Sequence, residues 1–255
     1  MVRKVWTIAI NTFHESLRKK ILYVLIVFAI IFIGASKFFS FLSREEELKM
    51  IKDIGFSSIE FFGALIAIFS SAGSISGEIE KGTIYTLLSK PITRANFVIG
   101  KFIGQILIIL FNLIIMTVFF ITLLLLKNNP FDLELFKTIL LIFFELVVIS
   151  SIAIAIGNFA PNSFNITFSF LLYIAGHLTS YGKQLIERVR NPLFKGFGTI
   201  FYTILPNYEN FNIKDKVVVG IPVSWIYVGK TITYGFIYIC ISLLLAIYFF
   251  NRKEI

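Results

Sequence analysis

The sequence predicts an all-α membrane protein, with an N-terminal amphipathic helix followed by six transmembrane helices. Three observations carry that prediction. The chain has 255 residues, 57% of them hydrophobic and 15% charged, whereas a soluble domain is nearer half apolar and a quarter charged. The apolar residues fall in runs of 18 or more, the length a helix needs to cross the hydrocarbon core, and the mean hydropathy is +0.85. The net charge of +9 collects at the edges of these runs. No basic stripe interleaved with aromatics lies outside them, so nucleic acid is not an expected partner. The lysines and arginines read as flanks of membrane spans beside anionic head groups. The single cysteine, Cys240, falls in a span and cannot form an internal disulfide.

Residues 1 to 20 read as an interfacial helix rather than a cleaved leader. Val2, Val5, Trp6, Ala9, Ile10, Phe13 and Leu17 recur at three- and four-residue steps, with Lys4, Asn11, Glu15 and Arg18 opposite. Arg18, Lys19 and Lys20 mark the turn into the bilayer. Span one covers 21 to 42, and a polar link with three successive glutamates follows to 55. Span two covers 56 to 76 and ends in a dense run of serine, alanine and glycine. Span three starts at Thr93, an N-cap after Pro91, and runs to 126. That is longer than one crossing, so its first turns project from the membrane. Residues 127 to 130 are a turn, span four covers 133 to 159, 160 to 163 connect tightly, and span five covers 164 to 181. The segment 182 to 224 is too long and too mixed for a bare turn. It reads as an extracytoplasmic loop with short surface helices near 183 to 190 and 192 to 205. Span six covers 225 to 250, with Ser224 as its N-cap. Six spans put both ends on one side. The basic residues divide almost evenly between sides, so the five in residues 1 to 20 are the better argument that both termini are cytoplasmic.

No catalytic constellation is present. The two histidines, His14 and His177, are far apart in the chain. No metalloprotease, zinc-ribbon or nucleophile-elbow motif occurs, and no metal ligand set is expected. The run Ser224 to Thr231 has the Gly229-Lys230-Thr231 end of a phosphate loop but lacks its first glycine and is filled with bulky residues. The chain is therefore expected to be no enzyme and to bind no cofactor. Inside the spans, ionisable groups are the default functional candidates. Glu145 lies mid-span and Glu60 one turn inside span two; with Asn112 they are candidate pathway residues. Gln105, Asn165 and His177 are able to join them. For each of these except Glu145, interhelical hydrogen bonding is the simpler reading.

Residues 73 to 104 are patterned beyond what a connection requires. Gly73 and Gly77 close span two, and Gly100 and Gly104 open span three, each pair spaced for close helix packing. Clamped together, the two spans would present residues 78 to 92 as a rigid knuckle. Glu78 and Glu80 supply charge, Gly82 a bend, and Ile84, Leu87 and Leu88 an apolar face before Pro91. An apolar anchor with a charged rim suits a soluble partner.

This stretch resembles a known family, the ABC-2 type permeases, membrane subunits of ATP-binding cassette transporters. The resembling residues are Glu78, Glu80, Gly82, Thr83, Leu87, Leu88, Pro91 and Arg94, then Gly100 and Lys101. Residues 9 to 18 look like the family's N-terminal elbow helix. Leu205-Pro206-Asn207 resembles the outer loop of the subgroup with nitrous oxide reductase copper-maturation permeases. The resemblance implies one membrane domain over 1–255, with an elbow at 1–20, a cytoplasmic coupling loop at 77–93 and the outer loop at 182–224. It implies a homodimer, or a heterodimer with a similar permease, in the cytoplasmic (inner) membrane among its lipids. ATP and Mg²⁺ would sit on a separate ABC ATPase subunit, gripped through residues 78 to 94, and substrate would be exported. Glu78→Ala or Gly82→Pro is then expected to uncouple hydrolysis from transport. A secondary transporter or channel using Glu145, and a scaffold that moves nothing, remain open alternatives.

Overall fold

The computed structural model describes residues 2–35, 38, 43–80, 82, 92–127, 132–179, 182, 186, 195–196, 198–199 and 203–253. Among these residues there are eight α-helices and no strands. They are α1 (Val2–Leu17), α2 (Lys20–Ala35), α3 (Arg44–Glu80), α4 (Arg94–Leu126), α5 (Leu133–Ile156), α6 (Asn162–His177), α7 (Lys214–Val219) and α8 (Trp225–Arg252). One 3-10 turn, Tyr208–Asn210, precedes α7. Four helices, α3, α4, α5 and α8, are long and apolar enough to cross a bilayer. α2 is apolar but has 16 residues, and α6 also has 16.

Depth in the bundle follows the side chains. In its most apolar window α5 is 72% buried and α8 only 22%. α3 is buried to the same 72%, so these two helices form the centre, with α5 packed against α3, α4, α6 and α8. The other side of α8 offers Ile226, Phe236, Ile237, Ile241 and Leu244 outward, an apolar surface suited to lipid. Small residues let α3 approach α5 and α6. The Ser71 and Ser150 hydroxyls meet at 2.7 Å, and a Cβ on Gly73 would lie 3.0 Å from the Asn162 side chain. Fully buried Asn165 ties all three helices, donating to Ala72 O at 2.9 Å and Ala153 O at 2.8 Å and accepting from Ser169.

The helix ends alternate. At one end, Arg94 at the start of α4 donates through Nη1 to the carbonyls of Phe250 and Lys253, each at 2.7 Å, and of Asn251 at 3.1 Å. There too Lys253 Nζ donates to Asn158 O at 2.9 Å, and Asn162 N–H points at Glu80 Oε1. This is the loop end, where residues 81 to 92 join α3 to α4. At the far end Lys127 pairs with Glu47 at 2.6 Å. Lys137 Nζ donates to Val223 O and Val223 N–H to Glu134. So α3, α5 and α8 run towards the loop end, and α4 and α6 run away from it.

Two caps match the sequence reading. Thr93 Oγ1 accepts from Asn96 N–H at 3.3 Å, and Ser224 Oγ from Ile226 N–H at 3.2 Å. Other expectations need correction. The polar link from 43 to 55 is helix, continuous with span two in the 37-residue α3. It is amphipathic, burying Glu47, Ile51 and Gly55 on one side. On α1 the protein-facing stripe is Ile8, Ala9, Thr12 and Ser16, while Trp6 and Ile10 of the apolar stripe point outward. The surface helices expected over 183 to 190 and 192 to 205 fall largely outside the described residues.

Candidate functional site

The loop end is built around Lys101. This lysine sits in an apolar helix with 2% of its side chain exposed, which α-helical burial tolerates only with paired charge. Its ammonium forms ion pairs with Glu78 of α3 and, at 3.4 Å, with Glu15 of α1. Two glycines bring α1 that close. A Cβ on Gly100 would lie 2.7 Å from Ile8 Cβ, and one on Gly104 would lie 2.6 Å from Thr12 Cβ and 2.8 Å from Ala9 O. The Gly100 and Gly104 pair therefore holds α1 against α4, not span two against span three as the spacing suggested. Gly73 serves the α3–α6 contact, and nothing lies within 4 Å of a Cβ on Gly77.

Gly82 ends α3. Its φ of 68° is left-handed, and its N–H donates to Ile79 O at 3.1 Å, the geometry of a glycine helix stop. Of the other residues assigned to partner docking, Glu80 is exposed beside the start of α6. Arg94 is turned inward onto the last carbonyls of α8 and stacks over Phe250 at 5.7 Å. Arg94 thus closes the C-terminus of α8, satisfying carbonyls that a helix leaves without partners. Thr83, Leu87, Leu88 and Pro91 lie outside the described residues.

A second polar centre lies deep between α3, α5, α6 and the segment before α8. His177 Nε2 is 3.0 Å from Glu145 Oε1 and 3.4 Å from Glu60 Oε1. Its Nδ1 is 3.7 Å from Glu209 Oε1. The other Glu60 oxygen accepts from Lys214 Nζ at 2.8 Å. Glu60 and Glu145 are almost wholly buried, at 4% and 1% exposure. Burial disfavours the Lys214 ammonium, but the Glu60 charge and hydrogen bond outweigh it and hold the lysine above its ordinary value.

The segment after α6 is folded onto this centre by local chemistry. Asn207 Oδ1 accepts from Thr179 Oγ1 at 2.7 Å and from Glu209 N–H at 3.1 Å. Its own N–H donates to the Tyr234 hydroxyl at 2.8 Å. Tyr208 is buried against Gly176, where a Cβ would come within 2.2 Å of its ring. Tyr227 Oη donates to Asn210 O at 2.8 Å. These contacts aim Glu209 and Lys214 inward. The sequence reading had marked Glu60, Glu145 and His177, and the structure brings them together. It had not marked Glu209 and Lys214, because nothing local identifies two charges in a polar loop as inward-facing. Asn112 does not join: its Nδ2 donates to Ile108 O at 2.7 Å in its own helix. Gln105 is buried, and its side chain makes no hydrogen bond to the cluster among the described residues.

Comparison with known proteins identifies the family. The chain is similar to a protein named probable ABC transporter permease protein NosY from Pseudomonas aeruginosa, with 30% identity over 117 residues, covering 41% of this chain and 40% of that protein. It is similar to a protein of the same name from Stutzerimonas stutzeri, with 29% identity over 120 residues, covering 42% and 41%. The aligned part thus spans less than half the length of these curated relatives. The family model described as ABC-2 family transporter protein matches residues 6–255. With nearly its whole length matched, and with four helices fit to cross a bilayer, the chain belongs to the ABC-2 family of transporter proteins and is a multi-pass membrane protein.

Proposed function

We infer that the chain is the permease subunit of an ABC transporter in the cytoplasmic membrane, exporting its substrate on ATP hydrolysis by a separate ATPase subunit. On this reading α2 and α6 complete six crossings, both termini are cytoplasmic, and two permeases associate as a dimer. ATP and Mg²⁺ belong to the ATPase; this chain supplies the surface that the ATPase moves. The residues from 77 to 93 are that coupling loop.

One observation carries the reading. The loop joins α3 to α4, and immediately beside it Lys101 bolts α3, α4 and α1 into one unit. A push on the loop is then delivered to two long helices and the elbow together, because a paired buried charge resists separation. The test is co-reconstitution with a candidate partner ABC ATPase. Leu87→Asp with Leu88→Asp is expected to abolish ATPase co-purification, and Glu80→Ala to weaken it, both with normal membrane insertion. Unaltered ATPase binding by these variants, or solute flux by the purified chain without any ATPase, overturns the proposal.

A further inference from the structure

We propose that Glu60, Glu145 and His177 form a binding site for one divalent first-row metal ion of the zinc or manganese class. Each offers one donor atom, and the three atoms lie within 4.8 Å of one another. The two edges that meet at His177 have the spacing of a coordination polyhedron. Nitrogen and oxygen donors sit about 2.0–2.2 Å from such an ion, which puts neighbouring donors roughly 3.0–3.5 Å apart; His177 Nε2 lies 3.0 Å from Glu145 Oε1 and 3.4 Å from Glu60 Oε1. A single N–H cannot point along both of these lines, whereas an ion between the three donors satisfies all of them. One imidazole with two carboxylates suits ions that accept mixed nitrogen and oxygen ligands, and the absence of sulfur from the set disfavours Cu(I).

The surrounding groups orient the donors as outer partners of metal ligands do. Glu209 Oε1 stands 3.7 Å from His177 Nδ1, on the side of the ring away from the donors. Lys214 takes Glu60 Oε2 at 2.8 Å and so turns Oε1 inward. The Tyr173 ring meets the imidazole edge-on at 4.7 Å and limits its rotation. The donor chemistry agrees as well. Three carboxyl groups and one imidazole converge here against the single lysine Lys214, a setting rich in oxygen and nitrogen donors that suits a divalent cation. His177 and Glu209 keep 19% and 35% of their side chains exposed, giving an ion a way in along the segment before α8. Bound there, the ion would tie α3, α5 and α6 at one point.

The test uses the full chain purified without a histidine tag, stripped with EDTA and titrated with Zn²⁺ or Mn²⁺ in nanodiscs. The expected result is one ion per chain by mass spectrometry of metals. His177→Gln and Glu145→Gln are expected to abolish binding, and Glu209→Gln to weaken it about tenfold or more with stoichiometry kept. His14→Gln, on exposed α1, should leave it unchanged. Should the buried variants fail to fold, the zinc-edge X-ray absorption spectrum of the wild-type protein decides: one imidazole with oxygen donors supports the site. No retained metal, binding that survives His177→Gln, loss on His14→Gln, or a spectrum with sulfur or two imidazoles overturns it. Stabilisation by acid alone, without metal uptake, would assign the cluster to protons and overturn it equally.

Discussion

Replacing Lys101 with methionine is the sharpest probe of the loop end. Methionine fills most of the same space, so the change removes charge with little volume. The two arms of the lysine differ in worth. Glu15 is 48% exposed, and an exposed pair contributes about 0.2–1 kcal/mol. Glu78 is 12% exposed, and removing one member of a buried pair costs about 3–5 kcal/mol, because the remaining charge has lost its compensation. Lys101→Met should therefore destabilise by about 3–5 kcal/mol, with Glu15→Gln costing no more than about 1 kcal/mol. The double variant Lys101→Met with Glu78→Leu removes both charges and should recover to within about 1 kcal/mol of the wild type, since apolar replacements of a buried pair are often neutral. Equilibrium unfolding in SDS mixed micelles, followed by tryptophan fluorescence with Trp6 reporting on α1, measures all three together with Glu78→Leu alone. If the double variant loses as much as the two single changes added together, the coupling is absent and the ion pair is not what holds α3 to α4. The same logic bears on function. Glu78→Ala would strand Lys101, so lost transport in that variant does not by itself mark a docking residue; the exposed Glu80 does not share this difficulty.

Three further outcomes follow from single contacts. Gly104→Leu should detach α1 at a cost of about 1–3 kcal/mol, since even a Cβ there would lie 2.6 Å from Thr12 Cβ; a cysteine cross-link between α1 and α4 should then form more slowly. Arg94→Ala should cost about 1.5–3 kcal/mol, the range for hydrogen bonds with a charged donor, and raise hydrogen exchange over the last turn of α8, whose carbonyls it holds. Asn165→Ala should lower the unfolding midpoint by an amount corresponding to about 1–3 kcal/mol; Asn165→Asp should do no better, because the two carbonyls need an N–H donor.

The sequence makes some of this legible, for physical reasons. Caps are local, so Thr93 and Ser224 are found where a polar residue precedes an apolar run. Intramembrane charge is costly enough that Glu60, Glu145 and His177 stand out as residues needing partners. The link at 43 to 55 misleads because its glutamates and lysines dominate its composition. The stripe Glu47, Ile51, Gly55, Ile59 at four-residue steps continues straight into the span, and that period is the signal that identifies it as helix. The GxxxG spacing of Gly100 and Gly104 states that a backbone comes close but not which one; α1 takes the position that span two was expected to fill. Glu209 and Lys214 are beyond local reading, because Lys214 meets a carboxylate 154 residues away and is placed there by the Asn207 turn.

The two polar centres are not independent, because α3 belongs to both. Glu78 at its loop end and Glu60 in the deep cluster are separated by 18 residues of one uninterrupted helix, about 27 Å of rise. Between them Ser71 touches Ser150 of α5, and the Ala72 carbonyl accepts from Asn165 of α6. These contacts use short side chains that permit little adjustment, so α3 cannot slide along α5 without breaking them. A displacement entering at the loop would thus either rotate α3 about the serine contact or carry α5 and α6 with it. Rotation would part Glu60 from His177, whereas joint movement would keep Glu60, Glu145 and His177 together. The deep cluster therefore reports which motion the loop drives, and a metal ion held there would favour joint movement by adding three ligand bonds to the contacts that resist rotation.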